Sequence, residues 1–319
     1  MELHMPPPAV IPFGLRAMKT VALANGRFDQ AERDMIAAAQ SALGVSHDVD
    51  ALPTISPAEL AAAIPDPRLR EQLLSALIVM TMLDGEATPE EADVVEQFAA
   101  GLQVDASYVR TLRKLAEGHT VAVRFDLARR VWVRGKAAEQ WAQGGVRWLA
   151  RSLASLLKLK EDSALLARYR ALTQYPQGSL GRAYADFVER NGFQFPGALG
   201  AGPDTVIYHD LTHVLSGYDT DAAGETQVAA FHAGARRKDP FVFIFFVMLQ
   251  FHLGIRMTPI AQAQHGFFEP EKVLLALRRG AACKIDPTDG WDPWLVMDRP
   301  LEDLRQEYGI PPLPPGLRK

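Results

Sequence analysis

The chain has 319 residues, 48% apolar and 23% charged, an ordinary globular mixture whose length favours two domains over one. A net charge of -4 with no dense basic face excludes nucleic acid as an expected partner. The single cysteine, Cys283, excludes an internal disulfide, fits a reducing compartment and is expected to be a packed small side chain.

The N-terminal stretch MELHMPPPAVIPFG has neither the layout of a secretory signal nor the Arg-rich amphipathic pattern of a mitochondrial import sequence. The longest apolar run, Phe241 to Leu249, is roughly half of what a bilayer span requires. We therefore expect a cytoplasmic chain that touches a membrane only from outside.

Helix starts recur and strand alternation is almost absent, so the expected fold class is all-α. Asp29 with Glu32, Ser56 with Glu59 and Thr88 with Glu91 have the capping-box form, and Pro stands at N1 in the last two. Asp66-Pro67 and Asp239-Pro240 read as further starts. The first hundred residues also repeat: Asn25-Gly26 pairs with Asp84-Gly85, and Glu32 with Glu91, at one constant offset. A helix–turn–helix unit is thus expected twice. This pattern resembles the TerB-like (tellurite-resistance B) helical domains over roughly residues 10 to 110. The resemblance implies metal or partner sites at acidic loop residues, whereas Asp84, Thr88 and Glu91 read by themselves as a tight turn and a helix cap.

A boundary is expected in the basic, mixed stretch from 111 to 140, which holds Arg124, Arg129, Arg130, Arg134 and Lys136. This divides the chain into a helical domain over 1–110 and a second over 111–319. Trp141 to Lys160 then places Val146, Trp148, Leu149, Leu153, Leu156 and Leu157 at helical spacing, with Arg147, Arg151, Lys158 and Lys160 on other faces. Such a segment packs on a core or lies at a membrane interface.

The chemistry concentrates further on. A short helix capped by Asp204 or Thr205 and stopped by Gly217 carries His209, Asp210 and His213. Positions i and i+4 share a face, so both imidazoles point at one spot, with Asp210 beside them. Ile207, Leu211, Val214 and Leu215 mark this helix as mostly buried, and buried titratable groups need partners, which a metal supplies. Glu225 opens the next helix and can face the His pair, while His232, two turns on, suits an outer shell or the substrate. Two imidazoles and two carboxylates suit one divalent ion, with zinc expected first and iron, manganese or cobalt as alternatives. A gluzincin-like protease would want Glu at position 210. An HD-type phosphohydrolase would need His119 and Asp239, which nothing around them supports.

His209-Asp210-Leu211-Thr212-His213 followed by Glu225 resembles the signature of the Coq-four family of ubiquinone biosynthesis. Similarity extends to Tyr175 through Tyr184 (YPQGSLGRAY), to Val214 through Glu225 (VLSGYDTDAAGE), to Trp291-Asp292-Pro293-Trp294 and to the tail from Pro300 to Pro311. It covers about residues 120 to 315; the N-terminal half departs from the architecture of most family members. The resemblance implies a mostly helical protein peripheral to the inner face of the cell membrane, a homodimer working beside other ubiquinone-biosynthesis proteins. It implies a polyprenylated aromatic ligand whose ring carboxylate is removed, with hydroxylation of the same carbon. Phe241, Phe245, Met248 and Phe251, in the aromatic run after the Glu225 helix, are expected to line the lipid tail's channel, with Phe267 and Phe268 as further candidates. Three readings follow: a metal-dependent enzyme on a prenylated quinone precursor, a lipid-binding organiser whose metal is structural, and an enzyme of another pathway on this scaffold.

Overall fold

A computed structural model describes residues 3–133, 161–258 and 261–314. Among them are fourteen α-helices and no strand, so the all-α expectation holds. The N-terminal helices are α1 (Ile11–Ala22), α2 (Gln30–Leu43), α3 (Pro57–Ala63), α4 (Pro67–Met80), α5 (Pro89–Leu102), α6 (Ser107–Ala116) and α7 (Thr120–Val133). The others are α8 (Ser163–Arg170), α9 (Leu180–Arg190), α10 (Val206–Ser216), α11 (Ala222–Ala235), α12 (Phe241–Val247), α13 (Pro270–Ala281) and α14 (Leu301–Glu307). The amphipathic segment Trp141 to Lys160, with Arg134 and Lys136 of the expected boundary, lies outside the described residues. No described helix is long and apolar enough to cross a membrane.

The caps explain where the N-terminal helices begin. Thr88 N–H donates to Glu91 at 3.1 Å while Glu91 N–H donates back to Thr88 Oγ1 at 3.3 Å, and Asp29 N–H donates to Glu32 at 2.7 Å. Ser56 makes only half of a box. Its hydroxyl accepts from Glu59 N–H, but the Glu59 carboxylate turns to Arg16 at 2.7 Å. α12 starts directly after Asp239-Pro240, as the sequence indicated. The Asp239 backbone sits at φ +47°, and its carboxylate accepts from Tyr108 Oη at 2.5 Å, tying α6 to the start of α12.

One apolar core runs from α1–α5 into α9–α13. α2 packs on α13 and α7 on α12. His252 adds a polar tie between the halves: Nε2 lies 3.0 Å from the Leu83 carbonyl, and Nδ1 accepts from Phe268 N–H at 3.3 Å. Burial lowers its pKa, so the ring is neutral and donates through Nε2. Cys283 is buried, as its composition argument required.

The closest packing is between α11 and α13. A Cβ built on Gly234 would stand 2.1 Å from the Leu277 carbonyl, and one on Gly280 2.0 Å from the Phe231 carbonyl. Only glycine fits at either position. With Ala222, Ala223, Ala229, Ala230 and Ala233 the sequence makes α11 a thin helix, which lets α13 press it toward the site.

Candidate metal centre

α10 begins without a side-chain cap. Thr205 makes no such bond, and Asp204, the other expected cap, is engaged by the Tyr169 hydroxyl instead. It ends at Gly217, φ +82°, as the sequence indicated. The three last carbonyls, orphaned in any α-helix, are taken by cations from later elements. Arg305 on α14 donates to Val214 O at 2.6 Å and Leu215 O at 2.9 Å, and Arg279 on α13 donates to Ser216 O at 2.9 Å. α11 starts on Asp221, whose carboxylate accepts from Gly224 N–H at 2.8 Å. A Cβ at Gly224 would lie 2.0 Å from the Asp219 carbonyl, so glycine there permits the tight reversal that turns Glu225 back toward α10.

His209, His213 and Glu225 converge. His213 Nε2 lies 3.2 Å from His209 Nε2 and 3.4 Å from Glu225 Oε1, and His209 Nε2 lies 3.2 Å from Glu225 Oε2. Donors held 2.0–2.2 Å from a tetrahedral ion are roughly 3.3–3.5 Å apart, so the spacing fits one metal of zinc's size. His213 Nδ1 sits 3.1 Å from the Tyr218 carbonyl, which can only accept; the proton is therefore on Nδ1 and the Nε2 lone pair faces the site. Phe187 stacks on the same ring with centroids 5.6 Å apart. His213 is buried, whereas the His209 side chain is 45% exposed, so the group is open on that side.

Without a metal the three groups form an ion pair. The crowding of protein atoms around the inner side of the ring opposes a charged His209 even though its outer side is exposed, but the Glu225 carboxylate outweighs it and lifts the imidazole to about 9. Burial likewise opposes charge on Glu225, and the two imidazoles hold it well below the usual carboxylate range. Asp210 does not join the group, although the sequence pattern placed it there. One position along the helix from His209, it turns about 100° away from that side chain. It is buried, which raises its carboxyl to about 6 against the pull of both imidazoles.

His232 stands beside the group, as expected. Its ring is stacked 6.1 Å from His209 and 5.0 Å from Phe243, and the Arg236 guanidinium lies over the other aromatic at 5.0 Å. Burial, then the neighbouring cations, hold it far below the usual imidazole range. Its Nδ1 has no hydrogen-bond partner among the described residues. A pocket of about 970 Å³ borders His213, walled by Phe187, Arg190, Tyr218, Arg279 and Arg305. Sequence reasoning did not single out these arginines. A buried cation reserved for the end of a distant helix leaves no local pattern.

The four residues expected to line a lipid channel lie in different surroundings. Phe245 and Met248 are fully buried in the core, Phe251 packs in a small cluster with Ala222, Ala229 and Val247, and only Phe241 of the four faces an open space. That space is not beside the metal ligands. α12 is short and continues as a π turn, Met248–His252, which rotates the aromatic run off a single face. Phe268 is buried and lines the same space, and Phe267 is partly exposed. His119 is exposed beside Glu117, and neither His119 nor Asp239 belongs to a metal-competent group among the described residues. Asp84, Thr88 and Glu91 form no metal-competent group among the described residues either; Thr88 and Glu91 make the cap.

Fold and site together give an all-α protein in which two histidines and a glutamate are grouped so that they could hold a metal ion. No family model matches the chain, and no curated protein matches it by sequence.

Proposed function

We propose that His209, His213 and Glu225 hold one divalent ion and that the chain is a metal-dependent enzyme. Its substrate on this reading is a polyprenylated aromatic acid of the ubiquinone route, from which it removes the ring carboxylate. The observation that carries the metal is the mutual 3.2–3.4 Å spacing of three donors on two helices, open on the His209 side. The substrate comes from the resemblance around Val214–Glu225 and the C-terminal tail. Zinc is the first expectation, with iron, manganese or cobalt in its place where the carbon is also hydroxylated. Bound there, the ion supplies Lewis acidity toward a substrate carboxylate or an adjacent phenol oxygen. The chain's own part is to fix the His213 tautomer through Tyr218, to keep Glu225 ionised, and to wall the site with His232 and Phe243. The same reading makes the protein peripheral to a membrane surface, where a polyprenylated substrate resides, and a homodimer among other biosynthetic proteins.

The competing reading is a lipid-binding organiser in which the metal is structural. Glu225→Gln separates them, because it keeps shape but removes one negative charge from the ligand set. In cells lacking the native gene and supplied with excess metal, we expect folded E225Q protein, an accumulated carboxylated precursor and little product. Product at the wild-type level under those conditions would favour the organiser. Absence of stoichiometric metal from the purified wild-type protein by elemental analysis would remove the centre altogether.

A further inference from the structure

An apolar pocket of about 250 Å³ lies where α1, α2 and α4 meet α11, α12 and α13. Leu15, Met18, Leu73, Val79, Phe241 and Ile244 supply much of its wall. None of the three metal-centre ligands takes part, and α12 separates the two places: Phe241 and Ile244 face the pocket while Phe243 stacks on His232. Leu3, His4, Met5 and Pro6 lie across the pocket as a strap. The strap is pinned at one point, by His4 N–H to Gln72 Oε1 at 2.8 Å and by Gln72 Nε2 to His4 O at 2.9 Å. Those two bonds satisfy the amide of Gln72. On the rim, Arg278 is exposed, and its guanidinium has neither an ion pair nor a hydrogen bond among the described residues.

We propose that this pocket binds a single-chain anionic amphiphile, with the aliphatic tail inside and the acid group on Arg278. Water fills such a space poorly, because its wall offers almost no donors or acceptors; an empty space forfeits the dispersion contacts of every lining group. An apolar cavity of about 150 Å³ admits benzene, so this one takes a chain of roughly ten carbons. The unpaired cation at the rim selects an anionic head over a neutral one. Opening the strap breaks two hydrogen bonds and uncovers the half-buried Leu3, His4 and Pro6, while Met5 is already 60% exposed; the entering chain re-covers the apolar wall. The inference is independent of the metal centre.

The test uses the full chain, treated with chelator, and decanoate, decan-1-ol and butyrate as probes in calorimetry. Decanoate should bind with one-to-one stoichiometry, butyrate should not bind measurably, and decan-1-ol should bind about threefold to fivefold more weakly, as expected for an exposed charge contact. Arg278→Gln, an exposed change, should bring decanoate down to the decan-1-ol level and leave decan-1-ol unchanged. Ala76→Phe, which fills the pocket, should weaken both by more than tenfold while circular dichroism and the melting temperature are retained. Should A76F not fold, R278Q alone decides the head group and the chain-length series decides the pocket. No decanoate binding to the wild type, equal binding of butyrate, or undiminished binding to folded A76F would overturn the proposal. Decanoate binding by E225Q at the wild-type level would keep this result separate from the fate of the metal reading.

Discussion

Gly280→Ala tests whether close packing of α13 on α11 sets the site. The added Cβ would lie 2.0 Å from the Phe231 carbonyl, and Cβ contacts below 3.0 Å do not occur, so the helices must part by at least about 1 Å. The obstructing atom is backbone on a helix, so no side-chain rotation relieves it. Inserting a methyl group into a packed interior costs about 1–3 kcal/mol, and rigid backbone on both sides puts this case near 3 kcal/mol. Against a net stability of about 5–15 kcal/mol that is a large share, and a drop of about 5–10 °C in melting temperature follows. Because α11 carries Glu225, the shift also spoils the 3.2–3.4 Å donor spacing, and zinc affinity should fall by about tenfold or more. Urea unfolding and competition with a metallochromic indicator measure the two effects. The control is Gly14→Ala on α1, where a Cβ meets only Leu73 Cδ1 at an ordinary 3.6 Å and should stabilise by about 0.5–1 kcal/mol. If G280A is as stable as the wild type, or loses stability with unchanged zinc affinity, the packing argument fails.

Glu91 is buried and its pKa is raised to about 7, mainly by burial; the folded chain therefore keeps a proton that the unfolded chain has lost between pH 4.5 and 7. This group's contribution is fully present below that window and falls through it by about 3 kcal/mol. Glu32, buried and likewise raised to about 7, titrates in the same window, so Glu91→Gln should reduce the slope without abolishing it and gain on the wild type from pH 4.5 to pH 8, by urea unfolding. Metal binding must expel the proton that His209 carries below about pH 9, while Glu225 is already ionised. Calorimetry in buffers of different ionisation enthalpy should thus find about one proton released per zinc at pH 7–8.5, with affinity rising with pH; flat affinity would refute the ion pair. Arg305→Ala leaves the Val214 and Leu215 carbonyls short of a charged donor, and should cost about 1.5–3 kcal/mol by the same unfolding assay.

The parts of this fold that the sequence disclosed are those decided within a few residues. The capping pairs at Asp29–Glu32 and Thr88–Glu91, the glycine stop at 217, and the His209–His213 face all follow from spacing along one helix, and all are present. Glu225 was legible because a short reversal joins its helix to α10. Asp210, three residues before His213, is buried beside the group but stands outside the mutual donor spacing of the other three. The Asp239-Pro240 start of α12 was legible as well, but the bond from Tyr108 to Asp239 and the π turn that redirects the aromatic run depend on tertiary partners.

The same distinction explains how the centre is held. Its three donors come from positions 209 to 225, but α13 fixes their setting through consecutive residues. Arg278 reaches the rim of the apolar pocket, Arg279 takes the last carbonyl of α10, and Gly280 lets α11 approach to backbone contact. Successive side chains on a helix point about 100° apart, so one turn of α13 faces three neighbours at once. None of these contacts can be changed by moving α13 without changing the other two. The residues of the candidate metal centre are therefore local in the sequence, while the accuracy of their placement depends on a helix about fifty residues later, whose own requirement at the contact is the absence of a side chain.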